Sequence, residues 1–446
     1  MSLASSLDRV KENEIARADA GVAENASAAI LLGATAWTRS APGTYVDVMI
    51  RRGPSEQSTM TKVKQRRIAA RSKTESPHRA ANGGHDHAVL VLQGGGALGS
   101  YQAGVYEGMA EAGVDPDWVT GVSIGAINAA LIAGNPAQQR LDRLREFWDR
   151  VSSAAPLIPP SAFDPVRPAF NRLSAAGAAT FGVPGFFSPR LPPPLLAPEG
   201  SLGALSFYDT APLAATLKEL VDFDLINHKD VRLSLGAVNV RTGNSLYFDN
   251  RDIRIHPEHV IASGALPPGF APVAIDGEFY WDGGIVSNTP LWYVLDDSPQ
   301  MNALVIQVDL FSARGELPRN IDEVFERAKD IQYSSKTRSN TTRVEEIEDM
   351  RGALKRVIGK LPAALKSDPD VQRLTETCKP AHITIAHLIN RRLSNSATWK
   401  DYEFSRATMN ELWAAGLDDV RRGVANRRRL RRENVSPGIQ VVDLTR

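Results

Sequence analysis

Two short stretches near residue 100 decide the fold: residues 88–99 read AVLVLQGGGALG, and residues 118–133 read WVTGVSIGAINAALIA. Each begins with an apolar run typical of a buried strand, passes through a glycine-containing turn, and continues into a helical pattern. Strand, helix, strand and helix joined by short loops indicate a mostly parallel sheet with helices on its faces. The sequence therefore predicts an α/β fold, a three-layer α/β/α sandwich with a mostly parallel central sheet.

The rest of the chain continues this α/β pattern less regularly. A turn at 242–244 separates two apolar runs that read as strands, and long helical patterns dominate the last third of the chain. The predicted strands are 233–240, 245–249, 303–310 and 382–389, and the predicted helices are 210–221, 320–375 and 402–432.

Changes in composition divide the chain into three predicted regions. Residues 1–87 are small and polar, carry a basic run at 62–73, and are expected to form a disordered N-terminal extension, unless translation starts at Met60. Residues 88–312 form the expected catalytic domain, and 313–446 a mainly helical C-terminal region. Within the catalytic domain, 154–200 holds eleven of the 28 prolines, which predicts an irregular insertion without regular helix, suited to a lid.

The composition excludes several classes of protein. Lysine plus arginine (52) nearly balances aspartate plus glutamate (51), so the net charge of +1 gives no reason to expect nucleic acid as a partner. The single cysteine, Cys378, excludes an internal disulfide and a cysteine-based metal cluster, and it fits a reducing compartment. No stretch approaches the ~20 apolar residues of a transmembrane helix, and acidic residues precede the best candidate for a secretion signal. We therefore expect a cytoplasmic protein, whose contact with membranes would be peripheral if it occurs.

Ser123 lies in the pentapeptide G-V-S-I-G, residues 121–125, between a predicted strand and a predicted helix. A serine at such a sharp turn adopts a strained backbone, and the flanking Gly121 and Gly125 remove side chains that would clash. The following helix directs its positive N-terminal end at the serine, where negative charge would develop during catalysis. The pattern is typical of a nucleophilic serine.

A glycine-rich turn, Gly94-Gly95-Gly96-Ala97-Leu98-Gly99, follows the first predicted strand. Consecutive glycines leave backbone N–H groups unshielded, so these groups can approach an oxyanion closely. The same turn also fits the dinucleotide fingerprint G-x-G-x-x-G. That fingerprint expects an acidic residue at the end of the second strand, where this chain has Val122 and Ser123. The oxyanion interpretation is therefore favoured.

A third motif, Asp282-Gly283-Gly284, lies within W-D-G-G-I-V-S-N-T-P, residues 281–290. A lone D-G-G is usually a turn. A serine nucleophile nevertheless needs a proton acceptor within hydrogen-bond reach, and a partly desolvated carboxylate can serve. Asp282 is therefore the candidate base.

The three motifs, in this order, resemble those of the patatin-like phospholipase family, a family of serine lipid acyl hydrolases. The block A-S-G-A-L-P at 262–267 and the N-x-P after the third motif match that family as well. The resemblance covers about residues 88–312. It implies a lipid or acyl-ester substrate and a Ser123–Asp282 dyad acting through an acyl-enzyme intermediate, without cofactor or metal.

The resemblance also implies an oxyanion hole built from backbone N–H groups of the glycine-rich turn. Its residues would be Gly94, Gly95, Gly96 and Ala97, and the structural glycines of the motifs would be Gly99, Gly121, Gly125, Gly283 and Gly284. Leu98 departs from the pattern, because many members carry arginine or lysine inside this loop. Cationic help to the oxyanion from within the loop is therefore not expected.

Two alternatives stay open at this point. An α/β-hydrolase with a Ser-His-Asp triad would also use G-x-S-x-G, with His382 or His387 as its histidine, although both lie in a strand-like run. The other alternative is a catalytically silent, membrane-associated protein of the same fold. Seven arginines between 421 and 432 are either a headgroup-binding run or the solvated end of a helix.

Overall fold

The computed structural model describes residues 82, 84–152, 166–297, 301–335, 337–378, 382–391, 400–425, 430 and 438–445. The predicted N-terminal extension thus lies outside the described residues, except for its last few positions. There the first strand begins at His87, and the preceding His85 is fully buried, with Nδ1 3.1 Å from Oδ1 of Asn302. The catalytic domain therefore begins before its predicted boundary at residue 88, because His85 is held against the fold by its ring nitrogens.

The described residues form eleven strands and thirteen α-helices. The strands are β1 (His87–Leu92), β2 (Trp118–Val122), β3 (Ser188–Pro189), β4 (Tyr208–Asp209), β5 (Arg232–Asn239), β6 (Ser245–Asp249), β7 (Val273–Ile275), β8 (Glu278–Asp282), β9 (Asn302–Asp309), β10 (His382–Ile389) and β11 (Gly438–Asp443). The helices are α1 (Ser100–Glu111), α2 (Ile124–Ala133), α3 (Arg140–Val151), α4 (Arg167–Phe181), α5 (Ala211–Leu220), α6 (Phe223–His228), α7 (Pro257–Ser263), α8 (Leu291–Asp297), α9 (Ile321–Tyr333), α10 (Thr337–Gly359), α11 (Ala363–Lys366), α12 (Pro369–Thr377) and α13 (Arg406–Ala425). None of these helices combines the length and the apolar character needed to cross a bilayer.

Nine of the strands form one sheet in the order β11-β10-β9-β1-β2-β5-β8-β7, with β6 also pairing with β5. The neighbours from β11 to β5 are parallel, whereas the pairings of β6, β7 and β8 are antiparallel. The chain runs from β1 outward through β2 to β5, and later returns to the other side of β1 with β9. In open sheets of this kind, sites form at the carboxyl ends of the strands beside such a reversal.

Helices cover both faces of the sheet, and successive residues of β1 supply the two cores. Leu90 and Leu92 belong to a large cluster that they share with α1, α2 and α13. Val89 and Val91 belong to a second cluster that they share with α8 and α10. Side chains alternate between the faces of a strand, so a strand covered on both sides is apolar throughout. The predicted α/β/α sandwich with a mostly parallel sheet is confirmed.

The C-terminal region belongs to the same sheet as the predicted catalytic domain. β10 pairs with β9 in parallel along its whole length, from His382 opposite Asn302 to Ile389 opposite Asp309, and β11 pairs with β10. The predicted boundary at residue 312 therefore separates elements that share one sheet. The sequence does not reveal this continuity, because the apolar pattern of a strand does not specify which strand it pairs with.

The proline-rich segment 154–200 contains a regular helix, contrary to the prediction; its residues 154–165 lie outside the described part. Residues 169–183 hold no proline, and α4 has its one proline in the first turn, where a missing N–H costs no hydrogen bond. Phe186 and Phe187 of the same segment are buried, and Phe186 packs edge-on against Phe147 and Phe404. These two phenylalanines are therefore part of the core rather than of a lid.

Two glycines allow α1 and α13 to pack backbone against backbone. A Cβ atom at Gly104 would lie 1.9 Å from the carbonyl oxygen of Trp413, and one at Gly416 would lie 2.1 Å from that of Tyr101. Gly104→Ala and Gly416→Ala should each lower the free energy of unfolding by about 2 kcal/mol or more, since the two backbones must move apart. Urea denaturation measures the change.

Gly177→Ala, inside α4, is the matched control for these substitutions. A Cβ atom at Gly177 meets nothing within 4 Å, so alanine there should raise the free energy of unfolding by roughly 0.5–1 kcal/mol. Similar effects at positions 104 and 177 would contradict the close contact between α1 and α13.

Candidate active site

Ser123 occupies the sharp turn between β2 and α2. Its backbone has φ 58° and ψ −125°, a left-handed conformation that costs a non-glycine residue on the order of 1–3 kcal/mol. Glycines on both sides permit the turn, because a Cβ at Gly121 would lie 2.2 Å from the carbonyl oxygen of Gly125, and one at Gly125 would lie 2.4 Å from that of Leu92. The turn is held by the Ser123 N–H, which donates to the carbonyl oxygen of Ser263 at 3.0 Å.

Asp282 is the last residue of β8 and reaches Ser123 from the antiparallel side of the sheet. β8 pairs with β5, placing Asp282 opposite Ala237, and the aspartate is 1% exposed. Its Oδ1 accepts a hydrogen bond from the N–H of Gly284 at 2.7 Å, and its carboxyl group is hydrogen-bonded to the side chain of Ser123. The two residues singled out by the sequence as nucleophile and base are therefore in direct contact.

Burial sets the protonation behaviour of Asp282. Enclosure in the protein raises the pKa of this carboxyl group to about 7, against hydrogen bonds from the Ser123 side chain and the Gly284 N–H, which lower it. A carboxylate with a pKa near neutrality is a stronger proton acceptor than an ordinary surface aspartate, and it is still ionised in part at pH 7. The site thus holds a hydroxyl group hydrogen-bonded to a carboxyl group that can exchange a proton at physiological pH.

The glycine-rich turn runs beside Ser123. A Cβ atom at Gly94 would lie 3.0 Å from the Cβ of Ser123. The four predicted oxyanion-hole residues do not offer equivalent N–H groups, because the Gly94 N–H donates to the carbonyl oxygen of Asn288 at 3.2 Å and the Ala97 N–H to that of Asp401 at 2.9 Å. The N–H groups of Gly95 and Gly96 donate to no acceptor within the described residues. Of the four predicted donors, only the Gly95 and Gly96 N–H groups remain available to a bound anion.

Gln93, which the sequence did not single out, ties this edge of the sheet together. It is fully buried, and its Oε1 accepts from the N–H groups of Leu310 and Phe311 at 2.6 and 2.9 Å, after the end of β9. Its Nε2 donates to Oγ1 of Thr289 at 2.7 Å and to the carbonyl oxygen of Tyr333 at 3.1 Å. The only available signal for its role was its position directly before Gly94.

Asn288 and Tyr333 complete the support of the glycine-rich turn. Nδ2 of Asn288 donates to the carbonyl oxygens of Gly94, at 3.1 Å, and of Tyr333, at 3.0 Å. Burial, together with the nearby carboxyl groups of Asp282 and Asp401, raises the pKa of Tyr333 to about 12. Asn288 was recognisable from the N-x-P after the third motif, whereas Tyr333 and Asp401 come from outside the region of resemblance and had no signal.

The two histidines considered for a Ser-His-Asp triad lie in β10, as predicted. Nε2 of His387 hydrogen-bonds to Oδ2 of Asp309 at 2.7 Å, within a buried polar cluster that also contains Gln307. Among the described residues, the hydrogen bonds of Ser123 involve Ala126, Ile127, Ser263 and Asp282, and neither of these histidines. The structure thus brings a carboxyl group, rather than an imidazole, to the serine.

Comparison with known proteins identifies the family of the chain. A family model of patatin-like phospholipases matches residues 90–295, which contain all three motifs, and a second model, described as patatin phospholipase, matches residues 331–435. The chain belongs to the patatin-like phospholipase family. At the level of the family, this supports lipid acyl hydrolysis as the activity and lipid as the substrate.

The crystal structure of VipD from Legionella pneumophila is similar to this patatin-like chain at 15% identity. The match covers 78% of this chain and 68% of that chain with a TM-score of 0.33, a similarity too low to support an argument. No curated protein matches the chain significantly.

The raised pKa of Asp282 has a consequence for stability that does not depend on catalysis. The folded protein binds the Asp282 proton more tightly than the unfolded chain does, so this residue makes the free energy of unfolding fall as the pH rises from about 4 to about 7. Asp282→Asn removes this loss of stability, because asparagine does not ionise. The variant should therefore be more stable than wild type at pH 8, by on the order of 3 kcal/mol, and the difference should shrink toward pH 4.

Denaturation of both proteins at pH 4.5 and pH 8 measures this difference. Asp276→Asn is the control, because Asp276 is an exposed residue in the turn between β7 and β8, with φ 50°, a conformation that asparagine tolerates. A stability gain of Asp282→Asn that is the same at both pH values would show that Asp282 is not protonated more readily in the folded state.

Proposed function

We propose that the protein hydrolyses carboxylic esters of lipids through a Ser123–Asp282 dyad and an acyl-enzyme intermediate. One observation carries the proposal: the Ser123 side chain is hydrogen-bonded to a buried Asp282 whose pKa is raised to about 7. A strained serine at a strand-to-helix turn, paired with a proton acceptor and lying beside a loop with free N–H groups, supplies the parts that acyl transfer needs.

In the first half-reaction, the Ser123 hydroxyl oxygen attacks the ester carbonyl carbon while Asp282 takes the hydroxyl proton. Negative charge then develops on the carbonyl oxygen, and we assign its stabilisation to the N–H groups of Gly95 and Gly96 and to the positive N-terminal end of α2. The tetrahedral intermediate collapses when Asp282 passes the proton to the leaving alcohol. The acyl group remains on Ser123.

In the second half-reaction, water takes the place of the alcohol. Asp282 accepts a proton from water, whose oxygen attacks the acyl carbon, and the same two N–H groups receive the oxyanion. Collapse releases the fatty acid and returns the proton to the serine oxygen. No histidine takes part in this sequence.

The oxyanion hole in this proposal is smaller than the one implied by the resemblance. The N–H groups of Gly94 and Ala97 already donate to protein carbonyl oxygens, so their contribution is to hold the loop rather than to bind the substrate. Leu98 is fully buried and offers no charge, which leaves backbone donors and the helix dipole as the electrostatic support.

Substitution of the dyad tests the proposal. Ser123→Ala and Asp282→Asn should each lower kcat on a short-chain p-nitrophenyl ester by about 10³-fold or more, and the double variant should be little worse than either, because the two residues act as one unit. Hydrolysis of a phospholipid and of a triglyceride, measured beside the short ester, gives the substrate preference.

His387→Ala is the control for the triad alternative and should retain turnover within a few-fold. A loss of about 10³-fold in folded His387→Ala protein would favour a histidine mechanism instead. Full activity of Ser123→Ala would show that the nucleophile is misassigned.

We also propose peripheral contact with a lipid surface, through apolar side chains that the fold leaves exposed. Leu191, Leu195 and Leu196 in the proline-rich segment are 88%, 94% and 76% exposed. On α9, Ile321 and Phe325 are 64% and 49% exposed and lie one helical turn apart. Exposed apolar groups at this density are unusual for a surface that meets only water.

The proline-rich segment contacts α9 through α4, and three charged side chains of α9, Glu326, Lys329 and Asp330, are only 16–22% exposed. Arg172 of α4 forms an ion pair with Asp322 of α9 at 3.0 Å. The polar face of α9 instead meets residues 400–402, where Asp330 pairs with Lys400 at 2.6 Å. A helix that turns several of its charges toward the protein and apolar side chains toward solvent is suited to a lipid surface.

The first two arginines of the basic run at 421–432 are paired within the protein. Arg421 pairs with Glu111 at 2.7 Å and Arg422 pairs with Asp419, so the described arginines of the 421–432 run already have protein partners. The other basic run, 62–73, lies outside the described residues. The cytoplasmic location expected from the sequence stays a prediction.

The double substitution Leu195→Ser/Leu196→Ser should reduce sedimentation with phosphatidylcholine vesicles several-fold, while hydrolysis of the soluble short ester stays within two-fold of wild type. Binding of the wild type should persist in 0.5 M salt, because apolar insertion is not screened. Val441→Ser, at a 40% exposed position on the edge strand β11, is the control. Binding that requires anionic lipid and disappears in salt would assign the contact to the basic runs instead.

A further inference from the structure

A segment of the C-terminal region, residues 400–402, contacts the glycine-rich turn directly. The carbonyl oxygen of Asp401 accepts the Ala97 N–H at 2.9 Å. Gly96, with φ 55°, lies so near that a Cβ there would be 2.2 Å from the same oxygen. This contact is closer than any side chain at position 96 could tolerate, so the position of the turn depends on the position of Asp401.

The turn is thus held at two points, one on each side of its free N–H groups. Asn288 bonds to Gly94 through both its backbone oxygen and its Nδ2, at 3.2 and 3.1 Å. Asp401 bonds to Ala97 at the other end. Gly95 and Gly96, whose N–H groups have no acceptor within the described residues, lie between these two attachments. The positions of the two attachments therefore set the direction in which the Gly95 and Gly96 N–H groups point.

A single helix, α9, holds both attachments. Its last residue, Tyr333, accepts a hydrogen bond from Asn288 on its carbonyl oxygen at 3.0 Å. One turn earlier, Nζ of Lys329 forms an ion pair with Oδ1 of Asp401 at 2.6 Å, with the two side chains 22% and 12% exposed. Lys329 also lies 5.2 Å from the centre of the Tyr402 ring. Because the pair is largely removed from water, its attraction is screened less than that of a surface pair.

We propose that Lys329 and Asp401 are positioning residues for the oxyanion hole, acting together to hold the Gly95 and Gly96 N–H groups at the reacting carbonyl. The proposal rests on the proposed function. Lys329 acts through Asp401 and not as a cation on the substrate, since its charge is matched by the Asp401 carboxylate. The chain, whose turn carries the uncharged Leu98, thereby uses an ion pair that is distant in sequence to arrange backbone donors.

The effect should appear in the chemical step rather than in substrate binding. Hydrogen bonds from an oxyanion hole strengthen in the transition state, and a small displacement of the donors lowers the rate without loosening the ground-state complex. Lys329→Met and Asp401→Asn should therefore each lower kcat on the soluble short-chain ester about 10-fold or more, with KM within two-fold of wild type. The affinity for an alkyl trifluoromethyl ketone, which forms an oxyanion on the serine, should fall by a similar factor.

Three variants separate a positioning role from a general loss of structure. Lys329→Arg keeps the charge and should retain turnover within about three-fold. The exchanged pair Lys329→Asp/Asp401→Lys should recover part of the rate lost in either single variant. Arg391→Met breaks an ion pair of 2.7 Å with Asp443, whose side chains are 33% and 22% exposed, between the ends of β10 and β11. It should leave kcat within two-fold, because that pair does not contact the glycine-rich turn.

Two results would overturn the proposal. Unchanged kcat in folded Lys329→Met and Asp401→Asn would show that the pair does not position the donors. A higher kcat in Asp401→Asn together with a lower one in Lys329→Met would show that Lys329 acts on the oxyanion directly. Ser123→Ala, assayed alongside, distinguishes failure of the proposed function from failure of the positioning role. Full activity of Ser123→Ala would refute the proposed function. Inactive Ser123→Ala together with normal turnover of Lys329→Met would refute only the positioning role.

Discussion

The site depends on a close approach of backbone segments at the carboxyl ends of β1, β2 and β5. A Cβ atom at Gly125 would lie 2.4 Å from the Leu92 carbonyl oxygen, and one at Gly283 would lie 2.7 Å from that of Gly236. No side chain fits in these gaps, so glycine is required on the turn after β2 and on the turn after β8. The same contacts bring Ser123, the glycine-rich turn and Asp282 to one place, although they come from distant parts of the chain.

Such close packing leaves little room for water, and the buried polar groups must find partners within the protein. Gln93 and Asn288 meet this requirement with several hydrogen bonds each, to the ends of neighbouring strands and to Tyr333. The carboxyl group of Asp282 has fewer partners, because it accepts two hydrogen bonds and forms no ion pair among the described residues. Burial with so little compensation is what raises its pKa toward neutrality and makes a carboxyl group suitable as a base.

The C-terminal region is structurally inseparable from this site. The described residues all belong to one compact unit, and the two stretches matched by family models, 90–295 and 331–435, fall within its bounds. β10 continues the sheet beyond β9, α13 packs on α1 through Gly104 and Gly416, and Asp401 contacts the glycine-rich turn. The loop next to the serine is therefore supported by residues that follow it by some three hundred positions. We expect substitutions in the last third of the chain to affect the site.

By itself, the sequence determined the features that depend on short stretches of chain. These are the strand-turn-helix units, the α/β sandwich, and Ser123 and Asp282 as candidate nucleophile and base. These follow from periodicity and glycine spacing, which act over a few residues. It misjudged the proline-rich segment, because proline density was averaged over a region whose residues 169–183 have none. Only the tertiary structure decided that the Gly94 and Ala97 N–H groups are already bonded, that β10 and β11 extend the main sheet, and that Asp401 touches the turn. Those outcomes depend on which distant segments pack together, and that is set by the burial and hydrogen bonding of the whole chain rather than by any local pattern.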